Sequence, residues 1–534
     1  MKTIRDALPS SSDSSKSSRA RPRQLSDSDA VFLSVERPEA PSHIAGLTIL
    51  DPTDCPEFGF DRFVEILRER IEQVARFKWK LFEPPLGIDR AYWIEAENFD
   101  VADHVHRVAI PQPGDRAALA DMAGFLHAQP LDRARPLWET WWIEGLEGGR
   151  IATLLKIHHC LMDGQGGMGL SEILMDLTPE PVRGRPAPAG ALEMSPRRPA
   201  LWEMGRAALT NGLRIPQALA DHSRRALSGP LARVFERERV DAAPSVPRVA
   251  FNGRLSRDRS FAFATVPLGP LRDAKKHFDV TMNDVLLELV ASSLRRGLLE
   301  QDALPEEAVV GLCPVSLRQQ GDQSFGNQIS SMPVSLATQI EDVAGRLAAI
   351  HESAQAAKQR LAAGAFETLT ALGQCLAPGV LRLLTRVAHG LPSLIPLPGN
   401  LVISNVRGLP VPLYMAGARV EELYPISMLQ VANGMNVTAV SHDDQVDFGF
   451  LVDRRLVRDP WIYADGIHEA LRELEAAVEA RSIGRPSDAA SVPAPVRGPE
   501  PGDDEPLDLT LIMSGLGHLR APSRESQREV DQAG

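Results

Sequence analysis

Two adjacent histidines stand at the end of an apolar run and precede an Asp-Gly pair, in the stretch LLKIHHCLMDGQGG at residues 154–167. A neutral imidazole is well suited to remove a proton near pH 7, because its unperturbed pKa lies close to that pH. Adjacent residues of a strand point to opposite faces, so His158 and His159 cannot both reach one substrate atom from a regular strand. We therefore expect one histidine to act as a general base and the other to support it.

The residues that follow the histidines predict a tight turn. Asp163 can pair with an arginine and fix the shape of this turn, and Gly164 allows a positive φ and the close approach of a ligand. Most single buried histidines simply find a hydrogen-bond partner in the core. Two histidines with an Asp-Gly pair at this spacing favour a functional site instead.

Cys160 suggests a rival mechanism, in which the thiol is a nucleophile that its neighbour His159 activates. A nucleophile and its base are usually close in space but distant in sequence, because neighbours on an extended segment diverge. We therefore do not expect an intermediate on Cys160. The four cysteines form no C-x-x-C pair and no Cys/His pair at metal-binding spacing, which predicts reduced thiols and no metal site.

Strand-like and helix-like runs alternate along the chain, which predicts an α/β fold. The histidines lie at a strand-to-helix turn, because residues 150–159 predict a strand and residues 167–177 predict a helix that glycines introduce. The other predicted strands are at 43–50, 261–268, 401–408 and 444–453, and the other predicted helices are at 60–77 and at 281–298, with a cap near Asn283.

Composition divides the chain into two blocks, a linker and two tails. Residues 1–24 are rich in Ser and Arg, and residues 481–534 are rich in Pro and acidic residues, which predicts disorder at both ends. An N-terminal domain at 25–190 contains the histidines, and a second α/β domain spans 251–480. Between them, residues 191–250 form an Arg-rich linker in which we expect amphipathic helices. Two such blocks suggest a site at their interface, where ligand pockets are often found.

The composition also excludes several classes of protein. The 534 residues carry a net charge of −12, which argues against nucleic acid as the main partner, because phosphate binding needs a strongly basic face. The first residues lack the apolar segment of a signal peptide, and no uninterrupted apolar run reaches the roughly 18 residues that span a membrane. We therefore expect a cytoplasmic protein.

Further motifs accompany the stretch HHCLMDG at 158–164. In chain order they are RPLWETWWIEGL (135–146), NDVLLE (283–288), PVSLR (314–318), FGNQIS (325–330) and NLVISNVRG (400–408). Together they resemble the bacterial wax ester synthase/diacylglycerol acyltransferase family of the CoA-dependent acyltransferase superfamily, over most of residues 25–475. The chain departs from the family pattern at Arg407, where the family has a proline, and this difference bears on loop shape and substrate preference.

The resemblance implies an α/β fold of two chloramphenicol-acetyltransferase-like domains, with the active-site channel at their interface. It implies that His159 is the general base and that His158 supports it. In this mechanism His159 deprotonates the hydroxyl of diacylglycerol or a fatty alcohol, which attacks the thioester of a long-chain acyl-CoA in a ternary complex. No acyl-enzyme is expected, because the hydroxyl attacks the thioester directly. No cofactor is expected, because acyl-CoA is a substrate, and no metal is expected.

A tetrahedral oxyanion needs a fixed hydrogen-bond donor, which is typically worth about 3 kcal/mol. The N-D motif of the family falls on Asn283 and Asp284, which makes these residues the substrate or oxyanion candidates. An asparagine at this position can equally cap a helix, so both roles stay open for Asn283. Asp163 is assigned to structure, with Arg318 as its candidate partner.

Apolar substrates require some contact with lipid, so we expect peripheral contact with the inner face of a membrane or with lipid inclusions. The segment 379–391 predicts an amphipathic helix of the interfacial kind, although an ordinary surface helix with its apolar face in the core has the same pattern. The Arg-rich residues near 195–250 are a second candidate for contact with anionic lipid. The predicted apolar face consists of Val380, Leu383, Leu384 and Val387, and the predicted polar face of Arg382, Arg386 and His389.

Two other functions share part of this pattern. Condensation domains, which form amides, share the histidine motif and a D-F-G element like that at 447–449, but they normally work beside a carrier domain, and the sequence shows no such module. The other alternative is a lipid-binding protein whose active site has decayed. The residues whose joint presence counts against decay are His158, His159, Asp163 and Asn283.

Overall fold

The computed structural model of the chain describes residues 22–161, 174–183, 197–212, 243–316, 329–362, 376, 378–391 and 396–483. Asp163, Gly164 and Arg318 lie outside the described residues, as do most of the two predicted tails, most of the linker and most of the predicted helix at 167–177. The described residues up to Ser482 belong to one unit.

Strands and helices alternate as the sequence indicates. The helices are α1 (Asp27–Val35), α2 (Phe60–Glu72), α3 (Arg116–Ala128), α4 (201–212), α5 (Leu268–Phe278), α6 (Met282–Glu300), α7 (Val343–Ala362), α8 (Pro378–Gly390) and α9 (Trp461–Ile483). The strands are β1 (Arg23–Gln24), β2 (His43–Asp51), β3 (Trp79–Phe82), β4 (Tyr92–Glu95), β5 (Val105–Ala109), β6 (Trp138–Glu144), β7 (Ile151–His158), β8 (Arg259–Pro267), β9 (Val310–Ser316), β10 (Ile329–Ser335), β11 (Leu401–Arg407), β12 (Tyr414–Met415), β13 (Ala418–Ile426), β14 (Met435–His442) and β15 (Gln445–Asp453). The five predicted strands are confirmed as β2, β7, β8, β11 and β15.

Two six-stranded sheets organise the molecule, which confirms the predicted α/β class. The first sheet has the strand order β12-β13-β2-β7-β6-β5, and the second has the order β10-β9-β11-β14-β15-β8. Neighbouring strands of these sheets are antiparallel except β5 with β6, and β11 with β9 and β14. A small third sheet has the order β1-β4-β3. β7, which ends at the two histidines, therefore lies inside the first sheet between β2 and β6.

Strand β13 joins the two large sheets. It follows β11 of the second sheet along the chain, yet it pairs with β2 in the first. It also packs against β15, where Gly449 comes so close to Pro425 that a Cβ atom on residue 449 would lie 2.0 Å from the Pro425 carbonyl oxygen. The buried carboxylate of Asp447 accepts hydrogen bonds from the Leu423 N–H at 2.8 Å and from Thr265 Oγ1 at 2.6 Å. The D-F-G element thus has a structural role, because it fixes β13 on the second sheet.

Helix α2 lies over the first sheet and is shorter than its predicted range. It ends at Glu72, and a 3-10 turn at Ala75–Lys78 leads into β3. The side chains that α2 buries recur at helical spacing, as expected for an amphipathic helix with one face in the core. They are Phe63, Ile66, Leu67, Arg70 and Ile71.

The N-cap of α6 is Thr281 rather than the predicted Asn283. Thr281 and Asp284 form a reciprocal capping box, in which the Asp284 N–H donates to Thr281 Oγ1 at 3.2 Å and the Thr281 N–H donates to the Asp284 carboxylate at 2.9 Å. Asn283 is the second residue of the helix, so its side chain is not used in the cap.

None of the described helices combines the length and the apolar content that a bilayer crossing requires.

Candidate active site

The two histidines lie where β7 ends. His158 is the last residue of the strand, and a 3-10 turn begins at His159. The N–H of His158 donates to the carbonyl of Leu137 at 3.0 Å, and the N–H of His159 donates to the carbonyl of Ser42 at 2.8 Å. Leu137 precedes β6 and Ser42 precedes β2, so the segments on both sides of β7 hold the histidine backbone in place.

The imidazole of His158 is buried, and its two nitrogens face different partners. Nδ1 accepts a hydrogen bond from the Cys160 N–H at 3.1 Å, and Nε2 lies 3.5 Å from Oε2 of Glu36. Because Nδ1 is an acceptor, a neutral ring carries its proton on Nε2, which faces the carboxylate. These contacts fix the ring and support the predicted role of His158 as a positioning residue.

Glu36 belongs to a chain of charged groups that runs from His158 to α8. Arg133 contacts the Glu36 carboxylate, and its Nη1 donates to Oε1 of Glu83 at 2.9 Å. The other oxygen of Glu83 accepts from Nη2 of Arg382 in α8 at 2.5 Å. Burial by itself raises the pKa of Glu36, but the contacts with His158 and Arg133 outweigh burial and hold that pKa well below its usual range. Glu36 is therefore an anion beside His158 at neutral pH.

The ring of His159 is half-buried and stacks on the ring of Phe32 in α1. The ring centroids are 3.9 Å apart, and the ring planes meet at 13°. Burial, followed by the charge of the neighbouring His158, lowers the pKa of His159 to about 4. The His159 imidazole is therefore neutral at pH 7, which is the form that can accept a proton.

This pKa predicts an unusual pH profile. We expect kcat/KM for acyl transfer to stay nearly constant on acidification to about pH 5, because His159 keeps its neutral form down to its pKa of about 4. Below that pH the imidazolium cannot act as a base, so the rate should fall. A histidine with an ordinary pKa near 6.5 would already lose most of its base form by about pH 6. Initial rates at low substrate concentration measure the profile, and an acidic limb centred between about pH 6 and pH 7 would contradict this assignment.

An apolar cavity of about 190 Å³ lies between α2 and the first sheet. It is larger than the engineered cavity of about 150 Å³ that binds benzene in another protein. Val406 and Val440 of the second sheet also line it, so both large sheets contribute to its wall. Ile157 lies at one end, and His159 follows two residues later along the chain. The His159 ring itself packs on Phe32 and is not among the described residues that line the cavity.

A buried ion pair fastens α2 above this cavity. The Arg70 guanidinium donates to the carbonyl of Leu174 and to the carboxylate of Asp176. The side chains of Arg70 and Asp176 are 3% and 0% exposed, so water screens the pair very little. Leu174 and Asp176 follow the histidine motif in the chain, so the pair joins α2 to the segment that comes after the motif.

Asn283 and Asp284 lie at the start of α6. The carboxylate of Asp284 is occupied by the helix cap and by Nδ1 of His351 at 2.7 Å. Asn283 is half-buried, and its amide makes no hydrogen bond within the described part of the chain. No hydrogen bond or ion pair between described residues joins either side chain to His159. Their role toward substrate or oxyanion stays a prediction, as do the roles of Asp163 and Gly164.

Cys160 is a poor candidate for a nucleophile. Its side chain is buried, and burial raises the pKa of the thiol well above its ordinary value. The thiolate is the reactive form of cysteine, so a raised pKa leaves Cys160 unreactive near neutral pH.

Sequence reasoning did not identify Phe32, Glu36, Arg133 or the Arg70–Asp176 pair. One signal was present, because Arg70 stands on the apolar face of a helix, where an unpaired charge would be costly. The other three residues carry no local signal, since they reach the histidines through contacts between distant parts of the chain.

Comparison with known proteins gives matches along most of the chain. The family model of the wax ester synthase/diacylglycerol acyltransferase catalytic domain matches residues 25–286, and the model of the WS/DGAT C-terminal domain matches residues 325–475. A protein of Mycobacterium tuberculosis H37Rv that is named as a diacylglycerol O-acyltransferase is 33% identical over 469 residues, which cover 84% of this chain and 90% of that protein.

Solved structures of two kinds also match the chain. The wax ester synthase/diacylglycerol acyltransferase from Marinobacter aquaeolei VT8 is 29% identical, with a TM-score of 0.61, and the match covers 85% of this chain and 100% of that chain. The first condensation domain of the calcium-dependent antibiotic synthetase is 15% identical, with a TM-score of 0.52, over 86% of this chain and 97% of that chain. The second likeness concerns the fold alone.

Proposed function

The chain belongs to the wax ester synthase/diacylglycerol acyltransferase family and is an acyltransferase, and on that basis we propose that it moves a long-chain acyl group from acyl-CoA to diacylglycerol or a fatty alcohol. Its fold of two chloramphenicol-acetyltransferase-like domains is the one that the sequence predicts. The observation that carries the proposal is the half-buried imidazole of His159, which directly follows a strand that lines an apolar cavity. Such an imidazole can accept a proton, and such a cavity can hold a fatty chain.

In the proposed reaction His159 is the general base. Its imidazole takes the proton of the acceptor hydroxyl while that oxygen attacks the carbonyl carbon of the acyl thioester. The tetrahedral oxyanion then collapses, the carbon–sulfur bond breaks, and the CoA thiolate takes the proton from the imidazolium. The products are the ester and free CoA, and His159 returns to its neutral form.

The low pKa of His159 has a consequence for this step. Burial disfavours the imidazolium in the free enzyme, so the charge is best stabilised when a negative charge develops beside it. The tetrahedral oxyanion supplies that charge, which makes the pair of charges a feature of the transition state rather than of the resting enzyme. Asn283 remains the candidate donor to the oxyanion, since its side-chain amide takes no part in the helix cap.

Direct transfer without an acyl-enzyme is the second part of the proposal. The buried thiol of Cys160, with its raised pKa, supports it. Incubation with palmitoyl-CoA in the absence of acceptor should leave the intact mass of the protein unchanged, and Cys160→Ser should keep the activity of the parent. A palmitoyl adduct that Cys160→Ser removes would replace direct transfer with a covalent mechanism.

The test of the function is product formation by the purified full-length protein. Palmitoyl-CoA is supplied with diacylglycerol, with hexadecanol or with hexadecylamine, and the lipid products are identified by mass spectrometry. We expect triacylglycerol or wax ester to form. Amide as the main product would favour a condensation-type enzyme, and binding of palmitoyl-CoA without any product would favour a lipid-binding protein.

Contact with a lipid surface is a further part of the proposal, and helix α8 supports it. The helix presents its apolar face to solvent instead of to the core, which is the reverse of an ordinary surface helix. Its Arg382 side chain turns toward Glu83, and its backbone accepts a hydrogen bond from Arg37. The outward side chains are Val380, Leu383, Leu384 and Val387, with exposed fractions of 47%, 62%, 51% and 55%.

The surroundings of α8 extend this apolar surface toward the candidate base. Leu86, which is 95% exposed, lies next to Gly379 at the start of α8. The helix packs on α1, which supplies the Phe32 ring that stacks on His159. A lipid surface on α8 would therefore be separated from His159 by one helix. Helix α4, in the described part of the linker, exposes Leu201, Trp202 and Leu209.

We expect the double variant Leu383→Asp/Leu384→Asp to bind vesicles at least about tenfold more weakly than the parent, since each fully buried leucine contributes about 1.5–3 kcal/mol. Sedimentation with vesicles of anionic phospholipid measures the binding. Leu299→Asp is the matched control, because Leu299 is an exposed leucine at the far end of α6. Equal binding by the double variant and the parent would remove α8 from this role.

A further inference from the structure

The floor of the cavity under α2 consists of rows of side chains that cross β2 and β7. Successive rows are two residues apart along each strand, which is roughly 7 Å. The row nearest the histidines contains Ile44 and Ile157, the next contains Gly46 and Leu155, and the third contains Thr48 and Thr153. The floor therefore extends for roughly 14 Å along the strands, and its first row lies nearest the end of β7 that leads into His159.

Helix α2 and the second sheet complete the enclosure. Phe63, Ile66 and Leu67 of α2 form the roof, and the Arg70–Asp176 pair anchors that helix. At the far row the Thr153 hydroxyl contacts the sulfur of Met415 at 3.7 Å. The apolar part of the cavity is thus elongated, and the histidine turn lies at one end of it.

Gly46 leaves the middle row of the floor open. A Cβ atom on residue 46 would meet no atom within 4 Å, although the residue lies inside a strand with Leu155 and Pro425 as its cross-strand neighbours. Its backbone is not in the positive-φ region, so backbone conformation does not require a glycine here. A glycine inside a strand weakens the strand and often marks the close approach of a backbone or a ligand. Within the described residues no atom comes within 4 Å of that Cβ position, so the space beside Gly46 has room for a ligand.

We infer that this cavity holds the alkyl chain of one substrate, and that Gly46 sets the length of chain that it accepts. The inference rests on the proposed acyl transfer. The reacting end of the substrate lies at the histidine turn, and its methylenes follow the rows of the floor toward Thr153. Gly46 leaves its side of the middle row without a side chain, so the chain can pass there, opposite Leu155 and four residues, roughly 13 Å, from His159. The acyl group of acyl-CoA and the chain of the acceptor have the same alkyl chemistry, so the experiment separates these two sources.

The test is a graded series, Gly46→Ala, Gly46→Val and Gly46→Leu, in the full-length protein. In the first arm kcat/KM is measured for octanoyl-, lauroyl- and palmitoyl-CoA with one acceptor. In the second arm it is measured for octanol, dodecanol and hexadecanol with octanoyl-CoA. The matched control is Gly269→Leu, because a Cβ at this exposed position on α5 also meets no atom within 4 Å, and Gly269 lies outside the cavity lining.

We expect the preference for the longest over the shortest chain to fall along the series in one arm, by at least about tenfold for Gly46→Leu, since each buried methylene is worth about fourfold. The affected arm identifies the source of the chain. Gly269→Leu should keep the preference of the parent, and Leu155→Ala, which enlarges the same row, should shift the preference toward longer chains.

Failure of this inference differs from failure of the proposed function. An active parent whose chain-length preference is unchanged by all three Gly46 substitutions would overturn the inference and leave acyl transfer intact. A loss that is equal for every chain length, in variants whose circular dichroism matches the parent, would overturn it as well. A parent that forms no ester with any pair of substrates would instead refute the proposed function.

Discussion

His159→Ala is expected to lower kcat/KM for acyl transfer by about 10²- to 10⁴-fold, the range that a positioned general base contributes. The substitution removes the group that takes the hydroxyl proton, while the backbone hydrogen bond from residue 159 to Ser42 can still form. It also removes the stacking partner of Phe32, so the variant should be slightly less stable. The measurement is initial-rate kinetics with palmitoyl-CoA and the better of the two acceptors.

The matched control is His106→Ala, because His106 is a partly exposed histidine on β5, away from the candidate site. It should keep the rate of the parent. A second variant, His159→Gln, restores a side chain of similar size without a base, and it should be as slow as His159→Ala. Parent-like rates in both His159 variants would remove the imidazole from catalysis.

Arg70→Met is expected to lower the free energy of unfolding by about 3–5 kcal/mol, because it removes the Arg70 cation from the buried Asp176 carboxylate. The side chain of Met fills a similar volume to the stem of Arg, so the change acts mainly on charge. The measurement is urea unfolding of the full-length protein, followed by a probe of the first sheet such as tryptophan fluorescence. Unfolding at the same midpoint and slope as the parent would show that the pair does not anchor α2.

The double variant Arg70→Met/Asp176→Leu separates the cost of a lone charge from the value of the pair. Replacing a buried pair by apolar residues is often neutral or stabilising, so we expect most of the lost stability to return. Arg183→Met is the matched control, because Arg183 follows Asp176 in the chain and pairs at the surface with Glu65 and Glu69 of the same helix α2. Exposed pairs contribute little, so this variant should unfold like the parent.

Local patterns were enough to predict the elements that carry the histidines. The apolar run before His158 predicted β7, and the alternating residues from His43 predicted β2. The motif at 158–164, together with the order of the other motifs, also indicated the family and its two-domain fold. The alternation of apolar side chains and the spacing of motif residues are properties of short segments. They could therefore be recognised in the sequence without knowledge of any contact between distant residues.

The features that the sequence did not reveal depend on contacts between distant residues. Nothing near Glu36 indicates that it faces His158, and nothing in β13 indicates that it pairs with β2 rather than with the strands of its own block. The cap of α6 is a different case. Thr281 and Asp284 form a recognisable capping pattern, and the prediction of a cap near Asn283 missed it by two residues.

Arg407 lies close to one wall of the cavity. It is the last residue of β11, its side chain is exposed, and the preceding Val406 lines the cavity. The departure from the family proline therefore falls next to a residue that lines the proposed chain site. This placement connects Arg407 with substrate preference.

The path of β13 limits how this enzyme can be divided. A fragment that ends in the linker would keep the pairing of β2 with β7 but lose β13, so the backbone donors and acceptors on that edge of β2 would be open to any other chain. The complementary fragment would carry β13 as a free strand attached at Gly449. Separately expressed halves should therefore aggregate when alone and recover only when they are produced together, so engineering by exchange of whole halves has to move β12 and β13 with the N-terminal piece.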